Sequence, residues 1–387
     1  MIRRVIALAF VLACASTAHA ERRWLRANFH GHASAGHVDD DGVESAHDMH
    51  KAVRAAGFDF SLHSPHCVTD VGADAAEHFA AQQAEEAAMR VPGLTIATGQ
   101  ELSVADGPNY ARHTKVLGRP APGNLNHLTI LGNKTLLPYR VLTPAEACER
   151  AHQDGGLCIV NHPGPGPMMW EEGYWEAPKN RAAVDAIEVY NGQALAAVGI
   201  DFESRYREAT AYRGLGLKIA ATTGADTHGP KSVARAQSKL AGFAGPARSL
   251  LKIVLPQSER PRPELDAATL VQVDAAARGT PAQVTAAVVA AVKARRTVAL
   301  YALPGIAVSI DGLGEVRRTG AVKVAMKLSR KVAEVTLYRE GTAVQTWHDV
   351  DAVEWSETIT APAAYVFGAK DGAGRLMTSA IWYEPAK

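Results

Sequence analysis

The stretch that decides the fold is Trp24–Phe29, which reads WLRANF and is followed directly by His30-Gly31-His32. A short apolar run of this kind predicts a buried strand that ends at the histidines. Side chains two residues apart in an extended chain share a face, so His30 and His32 are expected to point into one site. A single His-x-His pair is weak evidence, because solvated surface turns also contain such pairs.

The same arrangement recurs over residues 24–240, where short apolar runs alternate with helical patterns. The runs predicted as strands are Trp24–Phe29, Phe58–Leu62, Leu94–Thr98, His127–Leu131, Leu157–Val160, Ala186–Val189 and Leu217–Ala221. The predicted helices are Ser45–Ala56, Asp74–Arg90, Thr143–Gln153 and Asp201–Arg213. This alternation is typical of an α/β layered fold.

Imidazole and carboxylate side chains stand at the ends of these predicted strands. They are His30, His32, His66, Glu101, His162, Asp226 and His228, with His127 at the start of its strand. In parallel α/β proteins the carboxyl ends of the strands form the edge at which active sites are built. Mixed imidazole and carboxylate ligands suit zinc, manganese or iron, so the pattern predicts a site for several metal ions.

In this order the motifs resemble those of the PHP family, named for polymerase and histidinol phosphatase, over residues 25–230. The motifs that carry the resemblance are His30-x-His32, Asp41-Gly42, the strand ending in His66, Gly99-Gln100-Glu101, His162-Pro163 and Asp226-x-His228. The resemblance implies an α/β fold, a distorted (β/α)7 TIM-like barrel, with two or three divalent metal ions. One departure is Pro65, which stands where the family usually has Asp before the histidine.

The resemblance also implies a ligand set. A first ion is assigned His30, His32, Glu101 and Asp226; a second shares Glu101 and adds His127 and His162; a third is assigned Asp41, His66 and His228. Two positions stay open. His37 is an alternative to Asp41, because the run after His32 is longer than usual, and His113 is an alternative to His127, because both begin similar runs.

Clustered divalent cations lower the pKa of a bound water and offset charge on phosphoryl oxygens. The leading interpretation is therefore a metal-dependent phosphoesterase that hydrolyses a small phosphate monoester or diester. Arg112 and Lys115 are candidate phosphate binders, or else solvated loop cations; Lys134 and Asn191 are weaker candidates. The alternatives are a metallohydrolase of amide or lactone bonds and a non-catalytic binding protein stabilised by metal.

The amino-acid composition excludes a disordered chain and gives no sign of a nucleic-acid partner. Of the 387 residues 47% are hydrophobic and 21% charged, which excludes a disordered chain. Lys and Arg number 41 against 40 Asp and Glu, so the chain carries no basic footprint for nucleic acid. Composition leaves the oligomeric state open.

Residues 1–20 are predicted to be a signal peptide. Arg3 and Arg4 precede the apolar run Val5–Ala15, and Ala18-His19-Ala20 fits a cleavage site. The prediction is an exported protein, periplasmic or secreted; lipidation at Cys14 is the competing interpretation. No later stretch is long enough and apolar enough to span a bilayer.

The remaining chain is divided by composition. Residues 21–255 are assigned to the metal-binding barrel, and 256–300 to a Pro-rich linker and a helix that begins at the capping box of Thr280. Residues 301–387 are predicted to form a β-sandwich-like module that packs on the barrel or limits access to it. Its predicted strands are Ala321–Leu328, Ala333–Tyr338, Ala343–His348, Val353–Thr360, Ala364–Ala369 and Thr378–Tyr383.

Three cysteines follow the predicted signal peptide: Cys67, Cys148 and Cys158. An odd, sparse set does not indicate a disulfide-stapled scaffold. Cys148 and Cys158 can pair in an oxidising compartment, but their places on a helix and in an apolar strand favour two buried free thiols.

Overall fold

The structure is a computed structural model. It describes residues 22–33, 44–66, 75–104, 115–116, 119–120, 127–138, 141–163, 180, 182–230, 233–234, 237 and 262–385. The structural statements below concern these residues.

The strands are β1 (Arg22–Asn28), β2 (Phe60–His63), β3 (Thr95–Ser103), β4 (Lys115–Val116), β5 (Arg119–Pro120), β6 (His127–Leu131), β7 (Leu157–Val160), β8 (Ala186–Asn191), β9 (Ala220–Gly224), β10 (Ala267–Asp274), β11 (Thr297–Tyr301), β12 (Val308–Ile310), β13 (Val316–Arg318), β14 (Ala321–Arg339), β15 (Thr342–Thr358), β16 (Ala363–Asp371), β17 (Gly374–Thr378) and β18 (Ile381–Glu384). The helices are α1 (Ala46–Ala55), α2 (Ala75–Ala88), α3 (Pro144–Gln153), α4 (Gly192–Val198), α5 (Glu203–Thr210) and α6 (Pro281–Lys293). A 3-10 turn, Pro263–Asp266, precedes β10.

The prediction of a (β/α)7 TIM-like barrel is wrong. Sixteen strands form one large mixed sheet, in the order β12-β14-β16-β17-β11-β10-β1-β2-β3-β6-β7-β8-β9, with β13, β15 and β18 paired off this path. Strand β6 is antiparallel to both neighbours, β3 and β7, and β1 pairs antiparallel with β10. A pattern of apolar runs shows where strands lie but not their direction, so alternation alone suggested a parallel barrel.

All seven predicted strands of the first half exist, five of them with shifted ends. Parallel pairs join β1, β2 and β3 on one side and β7, β8 and β9 on the other. The third strand is longer than predicted and runs to Ser103, so Glu101 lies inside β3 rather than at its end. An isolated parallel bridge between Gly31 and Thr227 brings the ends of β1 and β9 together.

Local helix signals are confirmed. Thr143 and Glu146 form a reciprocal capping box at the start of α3, and Thr280 and Gln283 form another at α6. The apolar face of α6 packs in one buried cluster with residues of β1, β2, β7 and β10. This cluster fills the interior beneath the site.

The second half departs from its predicted strands. Two pairs of predicted short strands are continuous, as β14 and β15, which form one long antiparallel hairpin with a register shift between Lys327 and Val332. Three consecutive exposed residues, Ser329 to Lys331, interrupt the alternation of buried and exposed side chains but not the extended backbone.

The late strands also touch the strands that carry the site. Strand β11 joins β10 to β17, and the Ser379 hydroxyl accepts a hydrogen bond from the backbone N–H of Ala221 in β9 at 3.0 Å. The fully buried Trp382 donates its indole N–H to the backbone oxygen of Thr210 at 3.3 Å.

A disulfide joins Cys148 of α3 to Cys158 of β7, with Cα atoms 5.2 Å apart. The expectation of two free thiols is therefore wrong. Both side chains are buried, as expected, but α3 packs directly on β7 and brings the sulfur atoms together. Cys67 lies outside the described residues.

Among the helices that the structure describes, none has the length and apolar character needed to cross a membrane.

Candidate metal centre

Eight of the nine predicted ligands converge at one edge of the sheet. His30 and His32 follow β1, His66 follows β2, Glu101 lies in β3, and His162, Asp226 and His228 follow β7 and β9; His127 begins β6. Because β6 is antiparallel to β3, its first residue lies opposite Ser103, at the same edge as the ends of the parallel strands. With His127 included, eight of the nine lie at this edge.

The Glu101 carboxylate lies at the middle of the cluster and is 1% exposed. Its Oε1 lies 3.1 Å from His30 Nε2, 3.0 Å from His127 Nδ1, 3.2 Å from His162 Nε2 and 2.8 Å from Asn161 Nδ2. Its Oε2 lies 3.1 Å from His32 Nε2 and 3.2 Å from His66 Nδ1. Five imidazoles from four segments of the chain therefore meet one carboxylate.

This donor set fits metal ions. Four nitrogens crowd Oε1 of Glu101, although a carboxylate oxygen offers two lone pairs, and the Nε2 atoms of His30 and His32 face each other at 3.1 Å. Lone pairs that point at one another are satisfied when a cation lies between them. Three groups have ligand atoms close enough to share an ion: His30, His32 and Glu101; His66, Glu101 and His127; and His32, His66 and His228.

Asp226 closes the other side of the cluster. Its Oδ1 lies 3.5 Å from His30 Nε2 and 3.4 Å from His32 Nε2, and its backbone N–H donates to the oxygen of His30 at 2.9 Å. Its φ of 51° places it in the left-handed region, which Asp tolerates better than most residues. The ring of His228 stacks on that of His32, with centroids 4.1 Å apart.

Glu188 is a functional candidate that sequence reasoning missed. Its Oε1 lies 2.9 Å from His30 Nδ1, and its Oε2 accepts hydrogen bonds from the backbone N–H of His162 at 2.7 Å and from Asn191 Nδ2 at 3.2 Å. A carboxylate behind a ligand histidine fixes the ring orientation and its tautomer. The sequence feature that could have identified Glu188 is its charge, which interrupts the otherwise apolar run Ala186–Val189.

Asn161 and Asn191 also belong to the cluster. Asn161 donates to Glu101, and Asn191 donates to Asp226 Oδ2 at 3.0 Å as well as to Glu188. Asn191 was predicted as a weak substrate binder. Its amide group donates to the carboxylates of Glu188 and Asp226, so it orients those two side chains.

Close packing leaves no room for a side chain at Gly224. A Cβ atom there would lie 2.2 Å from both Glu188 Oε1 and the Cβ of His30. Glycine at the end of β9 therefore lets the carboxylate and the histidine approach the backbone.

Charges within the cluster shift the pKa values of its members. Burial disfavours the charged carboxylate of Glu101, but the rings of His30, His127 and His66 outweigh it and hold its pKa well below the usual value. Burial likewise opposes the charged form of His30, but Glu101, Asp226 and Glu188 raise its pKa well above the usual value. Both shifts have the same cause, because each charged form of His30 and Glu101 is stabilised by opposite charge beside it.

The segment that contains Pro65 is held in place by backbone hydrogen bonds. The backbone oxygen of Pro65 accepts a hydrogen bond from the N–H of Glu101 at 3.0 Å, and the N–H of Ser64 donates to the oxygen of Gly31 at 2.9 Å. These bonds tie the segment before His66 to β3 and to the end of β1.

Several candidates are not brought into the centre. Asp41, His37, Arg112 and His113 lie outside the described residues; Lys115 lies in β4, and its side chain is outside them as well. Lys134 follows β6 at the opposite edge of the sheet, where it is 73% exposed and lies 3.8 Å from Asp154.

Comparisons with known proteins do not identify a family for this chain. No family model matches the sequence, and no curated protein matches it. Among solved structures, it is similar to a candidate metal-dependent phosphoesterase from Bifidobacterium adolescentis at 16% identity and a TM-score of 0.32, over 52% of this chain and 87% of that one.

Two further structures are similar over a smaller share of this chain. One contains fibronectin(III)-like modules of Clostridium thermocellum CbhA (14% identity, TM-score 0.17, 21% of this chain and 100% of that one). The other is a lytic polysaccharide monooxygenase from Jonesia denitrificans (10% identity, TM-score 0.16), of which this chain covers 58% while 19% of its own length is matched. These scores are too low to assign a fold or a function.

Proposed function

We propose that the protein is a metal-dependent hydrolase that cleaves phosphate monoesters or diesters of small molecules. The observation that supports this most is the buried Glu101 carboxylate, with imidazole nitrogens of five histidines within 3.2 Å. Burying each of these titratable groups costs free energy, so a cluster of this size is not expected in a core that serves stability alone.

The proposed cofactors are two or three ions of zinc, manganese or iron. When bound, such ions lower the pKa of a coordinated water towards neutrality and offset negative charge on a phosphoryl group. His30, His32, Glu101 and Asp226 would hold one ion, and His127 and His162 would hold a second together with Glu101.

Neighbouring side chains orient the proposed metal ligands. Glu188 contacts Nδ1 of His30, which leaves its Nε2 turned toward Glu101. Asn161 donates to Oε1 of Glu101 and fixes the rotation of the carboxylate. The rings are thus oriented before any ligand arrives, which reduces the reorganisation needed for binding and for reaction.

The test measures metal content and hydrolysis in Glu101→Gln. A matched control is Glu203→Gln, which changes another buried glutamate, one bonded to Tyr190 at 2.8 Å and outside the centre. Protein purified without a His-tag is analysed by plasma mass spectrometry and assayed on panels of phosphate esters, amides and lactones. Wild type and control should hold about two or three equivalents of metal and hydrolyse a phosphate ester; Glu101→Gln should lose both properties.

Other outcomes contradict the proposal in different ways. Hydrolysis of an amide or lactone but of no phosphate ester would reassign the substrate class. Metal binding without hydrolysis of any panel member would indicate a binding protein stabilised by metal. A folded wild type that takes up no zinc, manganese or iron would refute the metal centre itself.

We also propose that the protein is exported after cleavage at Ala20. The disulfide between Cys148 and Cys158 supports an oxidising compartment, because such bonds are rare in the reducing cytosol. N-terminal sequencing of protein recovered from the periplasm or medium tests this proposal. Recovery of the uncleaved chain from the cytosol would contradict it.

A further inference from the structure

Arg262 lies beside the metal centre and connects three segments of the chain. Its Nη1 and Nη2 donate to the two carboxylate oxygens of Glu44, at 3.0 and 2.6 Å. Nη2 also donates to the Thr227 hydroxyl at 2.5 Å, and Nε donates to Glu264 at 3.3 Å. All three guanidinium nitrogens therefore donate to groups of the protein itself.

Thr227 is the residue through which this cluster reaches the centre. It stands between Asp226 and His228, and its backbone oxygen accepts the N–H of His32 at 2.8 Å. Its hydroxyl receives Arg262 and donates to Glu264 at 2.9 Å. A displacement of Thr227 would thus move residues on both sides of it and the end of β1 together.

The cluster is buried and charged, which makes its geometry rigid. The side chain of Arg262 is 13% exposed, that of Glu44 9% and that of Glu264 1%. Removing one partner leaves the remaining charges without compensation in a poorly solvated place. Lysine cannot replace the arginine fully, because a single ammonium lacks the planar fork that serves two carboxylates and a hydroxyl at once.

We propose that Arg262 is a positioning residue for the metal centre. It holds the Asp226-Thr227-His228 turn against the end of β1, so that His32, Asp226 and His228 keep the spacing that a cation requires. This inference rests on the proposed function. It adds to it a residue that donates to Glu44, Thr227 and Glu264 and that the sequence motifs did not include.

The experiment measures cation affinity directly, without relying on hydrolysis. Cation-depleted protein is titrated with Mn²⁺ and with Zn²⁺ by calorimetry, for wild type, Arg262→Ala, Arg262→Lys and Thr227→Val. Loss of a residue that orients metal ligands lowers affinity about 10- to 100-fold, and Arg262→Ala should fall in this range at one or more sites. Thr227→Val should weaken binding in the same direction, and Arg262→Lys should be intermediate.

Arg317→Ala is the matched control. Arg317 also bridges two carboxylates, those of Asp311 and Glu315, each at 3.0 Å, but it lies in the late strands away from the centre. Its loss should leave the affinity and the number of bound cations unchanged. If Arg262→Ala fails to fold by circular dichroism, Thr227→Val carries the test, because it removes only the hydroxyl at nearly constant volume.

The outcomes separate this inference from the function on which it rests. Wild-type affinity in both Arg262→Ala and Thr227→Val would overturn the positioning role and leave the metal centre intact. A wild type that binds cations without hydrolysing any ester would contradict the phosphoesterase proposal while Arg262 is still tested. A wild type that binds no cation would overturn both.

Discussion

His50 should make the protein less stable in weak acid, and the size of this effect follows from its surroundings. The side chain on α1 is fully buried and lies 2.9 Å from the Ser61 hydroxyl. Burial, together with nearby His63 and His47, lowers its pKa to about 3 from an ordinary 6.5. The folded protein therefore keeps His50 neutral at pH values at which the unfolded chain binds a proton.

The sign follows from that difference. The neutral histidine contributes its full stabilisation above the unfolded pKa near 6.5, and this stabilisation is lost as the pH falls toward the folded value. Each pH unit within this window costs about 1.4 kcal/mol of unfolding free energy. Between pH 7.5 and 5.0 the loss due to His50 alone is about 2 kcal/mol.

The assay is urea unfolding of wild type and His50→Gln at both pH values, with cations removed by a chelator in every sample. The variant is expected to lose about 2 kcal/mol less than wild type between the two pH values, whatever its absolute stability. His348→Gln, which replaces an exposed histidine in β15, is the control and should behave as wild type. Equal losses in wild type and His50→Gln would refute the reasoning.

Three further outcomes are expected. Glu188→Gln should weaken cation affinity about 10- to 100-fold in calorimetric titration, because it loosens His30; unchanged affinity would contradict its orienting role. Gly224→Ala should lower the number of bound cations measured by mass spectrometry and cost about 1–3 kcal/mol in thermal unfolding, because its Cβ has no room. Replacing Cys148 and Cys158 together by Ser should cost about 2–4 kcal/mol in urea unfolding, and an unchanged midpoint would mean that the bond is not formed.

The positions of the strands could be predicted from the sequence, but the shape of the sheet could not. The runs His127–Leu131 and Leu157–Val160 became strands with the predicted bounds. Whether these two strands pair parallel or antiparallel depends on the path of the segment that connects them. The spacing of apolar residues carries no information on strand direction. Strand β10, the partner of β1, was not predicted, because residues 256–300 were assigned to a linker and a helix.

The candidate site was more predictable than the fold. The sequence shows directly which strand termini carry imidazole or carboxylate side chains. Such residues lie at this edge of the sheet whether their strand ends there or begins there. His127 illustrates this, since it begins its strand and still lies 3.0 Å from Glu101. Glu188 and Arg262 could not be assigned, because their roles depend on contacts with residues far away in the chain.

The pairing of β1 with β10, in which Leu25 faces Val271, has a consequence for biosynthesis. His30 leaves the ribosome early, but the strand that supports it pairs with residues made some two hundred and fifty positions later. Ala221 of β9 in turn bonds to Ser379, which is made 158 positions later. Pairings between such distant residues form slowly, so the nascent chain carries its histidines without their final neighbours for most of synthesis. Under the proposed function, cation loading is therefore expected after the sheet is complete and not as soon as the ligand residues have been made.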